Sequence, residues 1–150
     1  MLEALQSSAA ATAIGQSQVW LASLSALHLV GFTLVLGSGL VANLALIGAV
    51  FGDRAPLDVL RPSARLLAAG LVISAGTGAL QFLPRAEGTA VNGTFQLKLL
   101  LVALAALVQV FAAPRVASAG RTAAARLCGA AGLALWLGAA VTACVFILLE

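Results

Sequence analysis

No charged residue occurs between Glu3 and Asp53, and three more long uncharged runs follow, Leu66–Leu83, Leu99–Ala113 and Leu127–Leu149. Burying so much uncharged chain inside a water-soluble globule would leave no surface for water. Only 9% of the 150 residues are charged, where a soluble domain is nearer a quarter. A hydrocarbon core about 30 Å thick takes about 20 helical residues. The runs are continuous and rich in Leu and Ala, without the alternation of barrel strands, so they read as helices. The expected fold is all-α: an antiparallel bundle of four transmembrane helices over about 19–51, 64–83, 95–113 and 124–149. The third run reaches a full span if it starts at Phe95 and Lys98 snorkels. Residues 1–18, including the small and polar "QSSAAATAIGQSQ", read as a short lead-in or interfacial helix of one domain, with no internal repeat.

Charge sets the expected orientation. Arg54, Arg61 and Arg65 follow the first span, and Arg115, Arg121 and Arg126 follow the third; the opposite side has only Arg85 and Lys98. Cationic residues concentrate in cytoplasmic loops, so both termini are expected outside, on the periplasmic side of a bacterial inner membrane. The net charge of +3 comes from scattered residues with no basic run, which argues against nucleic acid as a partner. The N-terminus lacks the basic region of a cleavable signal, and the first span is expected to be retained.

Turn chemistry marks the joints. Gly52, Pro56 and Pro62 punctuate the first loop, with Ser63 as the expected N-cap of the second span. Pro84 and Asn92-Gly93 punctuate the second, with Thr94 capping the third span, and Pro114 is expected to stop that span.

Polar and small residues inside the spans form stripes. At 100° per residue, Ser25, His28, Gly39 and Asn43 lie within about 60° of one another on the first span. Gly70, Ser74, Thr77, Gly78 and Gln81 share a face of the second. Lys98 and Gln109 lie nearly in line on the third, and Ala130, Ala134, Gly138 and Thr142 form a ridge on the fourth. Such faces allow close backbone approach and interhelical hydrogen bonds. The small-residue faces of the second and fourth spans are therefore expected to make close helix contacts. Asn43 and Gln109 lie at similar depth and are expected to pair.

His28, the only histidine, lies at the depth of Gln81 and Lys98. The three are expected to converge on one polar cluster near the outer face, His28 bonding Gln81 or Lys98. A neutral imidazole there can accept a hydrogen bond or ligate a metal, haem b or copper being the candidate cofactors, and the cluster suits a quinone as well. The alternative is packing alone, with Lys98 snorkelling and His28 bonded to a neighbouring carbonyl. For copper the chain offers His28, Cys128, Cys144 and Met1. The two cysteines are sixteen residues apart on one helix, about 24 Å at 1.5 Å per residue, too far to pair or to share an ion. Both read as buried packing residues. One histidine cannot supply both axial ligands of a bis-His haem, so a haem would need a second chain or another ligand. No nucleotide-binding glycine motif, nucleophile–base set or intramembrane carboxylate is present, and the chain is expected to be no enzyme.

Trp20, "ALHLVGFTLVLGSGLVANLALIG", "TGALQFLP", "NGTFQLKLLLVALA" and "LALWLG", in that order, resemble a bacterial family of four-helix membrane proteins with no assigned activity. The resemblance covers nearly the whole chain and marks His28, Gly31, Gly37, Thr77, Gly78, Phe95, Lys98 and Trp136. More distantly, the early histidine and "FQLKLLLV" are similar to the copper-resistance D family. Where the four-helix family tends to carry Asp-Leu-Arg, this chain has Asn43-Leu44-Ala45, which removes that acid–base pair. The functions these readings imply are, in order, an accessory or structural subunit of a larger membrane complex or homo-oligomer, a copper-handling protein, and a haem b or quinone anchor using His28 with a partner chain.

Overall fold

The computed structural model describes residues 2–149, and of Leu149 the backbone only. Met1, a candidate copper ligand, and Glu150 lie outside the described residues. Every element among them is helical. Two short helices, α1 (Leu2–Gln6) and α2 (Ala9–Gly15), precede α3 (Gln18–Ile47). Next come α4 (Pro56–Phe82), a 3-10 turn (Leu83–Arg85) and α5 (Ala86–Val91). The third long rod consists of α6 (Gly93–Leu107), a π turn (Val108–Ala112) and α7 (Ala113–Ser118), and α8 (Ala123–Leu149) closes the chain. Four stretches, Gln18–Ile47, Pro56–Val91, Gly93–Ser118 and Ala123–Leu148, are long and apolar enough to cross a membrane. Leu29, Val72, Leu127, Val141 and Ile147 stand exposed, each more than half accessible. A surface of hydrocarbon suits lipid and not water.

Several boundaries differ from the sequence reading, each for a local reason. The first long helix ends at Ile47 because Gly48 takes the left-handed conformation, φ +89°, and its N–H returns to the carbonyls of Leu44 and Ala45. The second starts at Pro56, well before Ser63. Proline is tolerated in a first turn, and Ser63 lies inside the helix with its hydroxyl donating to the Val59 carbonyl at 2.8 Å. Pro84 does not end that rod, which continues through the 3-10 turn into α5. The cap of α6 is Asn92 and not Thr94: its Oδ1 accepts from the N–H groups of Thr94 and Phe95 at 2.9 and 3.1 Å. Nor does Pro114 end the third rod. A π turn precedes it, in which the Ala113 N–H reaches back to the Val108 carbonyl, and the Arg115 guanidinium donates to the Phe111 carbonyl.

The packing is centred on α3, which lies between α4 and α8, while α6 packs on α8. Glycine sets both contacts of α3. A Cβ on Gly70 would stand 2.7 Å from the Gly31 carbonyl oxygen, and one on Gly129 would stand 2.7 Å from that of Asn43. Backbone cannot yield as a side chain can, so these approaches require glycine. The small-residue faces of α4 and α8 thus make close contacts, but with α3 and not with each other. On α8 the buried ridge is Ala125, Gly129, Gly132, Trp136 and Ala139, whereas Ala130 and Ala134 are exposed. Of the expected ridge, Gly138 meets Leu101 of α6, and Thr142 bonds its own helix at the Gly138 and Ala139 carbonyls. Trp136 is fully buried with its indole edge against Gly39 of α3. Cys144 is exposed, while Cys128 packs partly buried against the cluster of Leu46, Leu60 and Ala125.

At the loop end, Arg121 ties the two turns together. Its guanidinium donates to the carbonyls of Gly52, Phe51 and Arg54 at 2.5, 2.7 and 2.8 Å. At the other end, the Gln6 side chain accepts from the Glu87 N–H at 3.1 Å, holding α1 on α5.

Candidate functional site

Long, half-apolar helices bring their polar residues together at two depths. Towards the loop end, Asn43 Nδ2 donates to Gln109 Oε1 at 3.0 Å and to the Gly39 carbonyl at 2.7 Å. Asn43 Oδ1 is buried without a hydrogen-bond partner among the described residues. Gly132 lies against that amide so closely that a Cβ would collide with it, and the hydrogen in its place points at Oδ1. A Cα–H···O contact is the weak compensation this geometry offers. Neither of the two cavities that meet at His28 is lined by this pair, which reads as packing.

The second depth carries His28. Its Nδ1 lies 3.0 Å from Thr77 Oγ1, and the Thr77 hydroxyl donates its one hydrogen to the Ile73 carbonyl at 2.7 Å. Thr77 therefore accepts from the ring, so Nδ1 carries the proton and Nε2 keeps its lone pair. The Ser74 backbone also lies within hydrogen-bonding reach of the ring, and among the described residues no hydrogen bond is found that ends on Nε2 itself. The histidine's direct partner is Thr77, not Gln81 or Lys98. Gln81 instead donates to the Leu24 carbonyl at 3.3 Å and accepts from Ser25 at 3.5 Å. Gly78 makes room for the ring: a Cβ there would be 3.2 Å from His28 Cε1.

His28, Gln81 and Lys98 nevertheless line one chamber of about 240 Å³, with Ser25, Arg85 and Thr89 among its polar walls. A second cavity of about 460 Å³ adjoins it, lined by Phe32, Val35, Leu71, Leu99, Val102 and Trp136 among others. The two share His28, Gly78, Phe82, Phe95 and Lys98. The larger cavity is the space between α4 and α6, helices with next to no close approach along their lengths among the described residues. At the chamber, Phe82 and Phe95 bridge them with ring centroids 5.9 Å apart, and Phe146 of α8 stands 5.7 Å from Phe95. Lys98 is half-buried and makes no hydrogen bond or ion pair with any described residue.

The sequence stripes named His28, Gln81 and Lys98, but the cleft and its aromatic walls were not legible in them. Phe32 and Phe82 are unremarkable in an apolar run, and Phe95 is marked only by the family resemblance. Only the small Gly78 opposite a histidine hinted at space. Chemically, the site offers one acceptor lone pair and one ammonium at the polar end of an apolar cleft. Among the described residues no three His, Cys, Asp or Glu side chains come together as a metal cluster. Comparison with protein-family models, curated proteins and solved structures finds no match to this chain.

Proposed function

We propose that this chain is a non-enzymatic multi-pass protein of the bacterial inner membrane, both termini outside, that serves as an accessory subunit of a larger membrane complex and holds a lipid-soluble ligand for it. One observation carries the reading: the apolar cleft between α4 and α6, about 460 Å³, ends at the His28 ring and at the Lys98 ammonium, which has no hydrogen bond or ion pair among the described residues. Binding sites for small molecules are apolar concavities of this size with a few convergent polar groups. Polar groups in the hydrocarbon region are costly unless a ligand or a neighbour uses them. The six-to-two distribution of basic residues supports the orientation.

A second reading has an observation of its own. A ligating histidine holds its other ring N–H in a hydrogen bond, as Nδ1 is held by Thr77 here, with Nε2 left for a metal. Haem b or copper would then need further ligands from a partner chain. Organic extraction of protein purified in mild detergent, together with its visible spectrum, separates the readings. A small lipophilic molecule recovered above the detergent blank, with no Soret band, is the expected result. A Soret band favours the haem anchor, and an extract equal to the blank contradicts ligand binding.

A further inference from the structure

Charge, polarity and volume together narrow the ligand, given the reading that the cleft holds one. Among the described residues no Asp or Glu lines either cavity. Lys98 lines both, half-buried, and no described residue neutralises it. Arg85, which has a partner of its own, also faces the chamber. An ammonium among hydrocarbon neighbours is costly without an opposite charge. The cleft is therefore complementary to an anion, and its polarity is graded: hydrocarbon between α4 and α6, polar beyond Phe82 and Phe95. An apolar cavity of about 150 Å³ holds one benzene ring, so about 460 Å³ holds on the order of three such six-carbon groups, the bulk of one hydrocarbon chain.

We propose that the cleft takes a single-chain amphiphile with a carboxylate head, its chain lying between α4 and α6 and its head accepting from the Lys98 ammonium. His28 Nε2, beside that head, accepts a hydrogen bond from the acid when it is protonated. The ligand class is thus a free fatty acid, a monoanion that one lysine neutralises.

Trp136 lines the cleft and reports on it. In a Trp20→Phe background it is the only indole, and bromine on a bound chain quenches it. Dibromostearate, the matching dibrominated alcohol and a dibrominated phosphatidylglycerol are titrated into the protein in neutral detergent. Carboxylate should bind about tenfold more tightly than alcohol, the scale of a charge-assisted hydrogen bond. Lys98→Gln should erase that preference and Lys98→Arg should retain it, with helix content unchanged by circular dichroism. Equal binding of acid and alcohol, or a preference that survives Lys98→Gln, overturns the carboxylate assignment while leaving the cleft a binding site. Phosphatidylglycerol binding as tightly as the acid overturns the single-chain assignment. Absence of saturable quenching by all three in folded protein overturns the ligand reading itself.

Discussion

Asn43 of α3 and Gln109 of the π turn are joined by a hydrogen bond of 3.0 Å, although sixty-six residues separate them. Asn43 is fully buried and Gln109 nearly so. Interhelical hydrogen bonds in membranes are worth about 0.6 to 2 kcal/mol. A double-mutant cycle with Asn43→Ala and Gln109→Ala, read as thermal or denaturant stability in detergent, should give a coupling in that range. Additive effects would mean that each amide is stabilised by its own helix alone.

Glycine positions on α4 should split sharply. At Gly70 an added methyl meets backbone atoms of α3, whereas at Gly76 it meets open space. Gly70→Ala should cost about 1–3 kcal/mol, the scale of overpacking. Gly76→Ala should be neutral or stabilising by up to about 1 kcal/mol, through helix propensity. Melting temperatures of the two variants in one detergent check this, and equal shifts would contradict the α3–α4 contact.

These contrasts show what a sequence carries and what it does not. The four long apolar rods, the stripe on α4 that faces α3 and the Asn43–Gln109 pair all follow from hydropathy, helical period and depth. The wrong ridge on α8 shows the limit. Ala130 and Ala134 are nearly as small as the packed Gly129 and Gly132, but a Cβ at either glycine would collide with Asn43 of α3, and Trp136 seats on Gly39, so the glycine face turns inward. Prolines misled for a related reason: Pro56 sits in the first turn of α4, Pro62 lies inside that helix without ending it, and Pro114 follows a π turn within a rod that continues. At the site, polar residues were legible because hydrocarbon surrounds them. Its cleft was not, because it results from α4 and α6 standing apart, a property of packing that no residue encodes alone.

Thr77 fixes the tautomer of His28. With one histidine in the chain, nitrogen-15 labelling of histidine gives a single pair of ring signals. The pair should show a protonated Nδ1 and an unprotonated Nε2 near neutral pH. Thr77→Val removes the acceptor and should mix the tautomers, whereas Thr77→Ser should preserve the pattern. A protonated Nε2 in the unmodified protein would contradict the arrangement on which the site depends.

Orientation has its own test. Reporter fusions placed after Glu150 and within the loop of Gly52–Ala55 should report outside and cytoplasmic locations, because the loop end carries six of the eight basic residues. A cytoplasmic C-terminus would invert the bundle and place the His28 cluster in the inner leaflet.

Native mass spectrometry of protein extracted from its own membranes tests the ligand cleft most directly. Ala79 lines the cleft and is exposed, so Ala79→Phe fills the space between α4 and α6 without entering the α3 contact. The unmodified chain should carry a bound small molecule of defined mass, and Ala79→Phe, with unchanged helix content, should have lost it. The same adduct on both proteins, or on neither, would contradict a ligand held between α4 and α6.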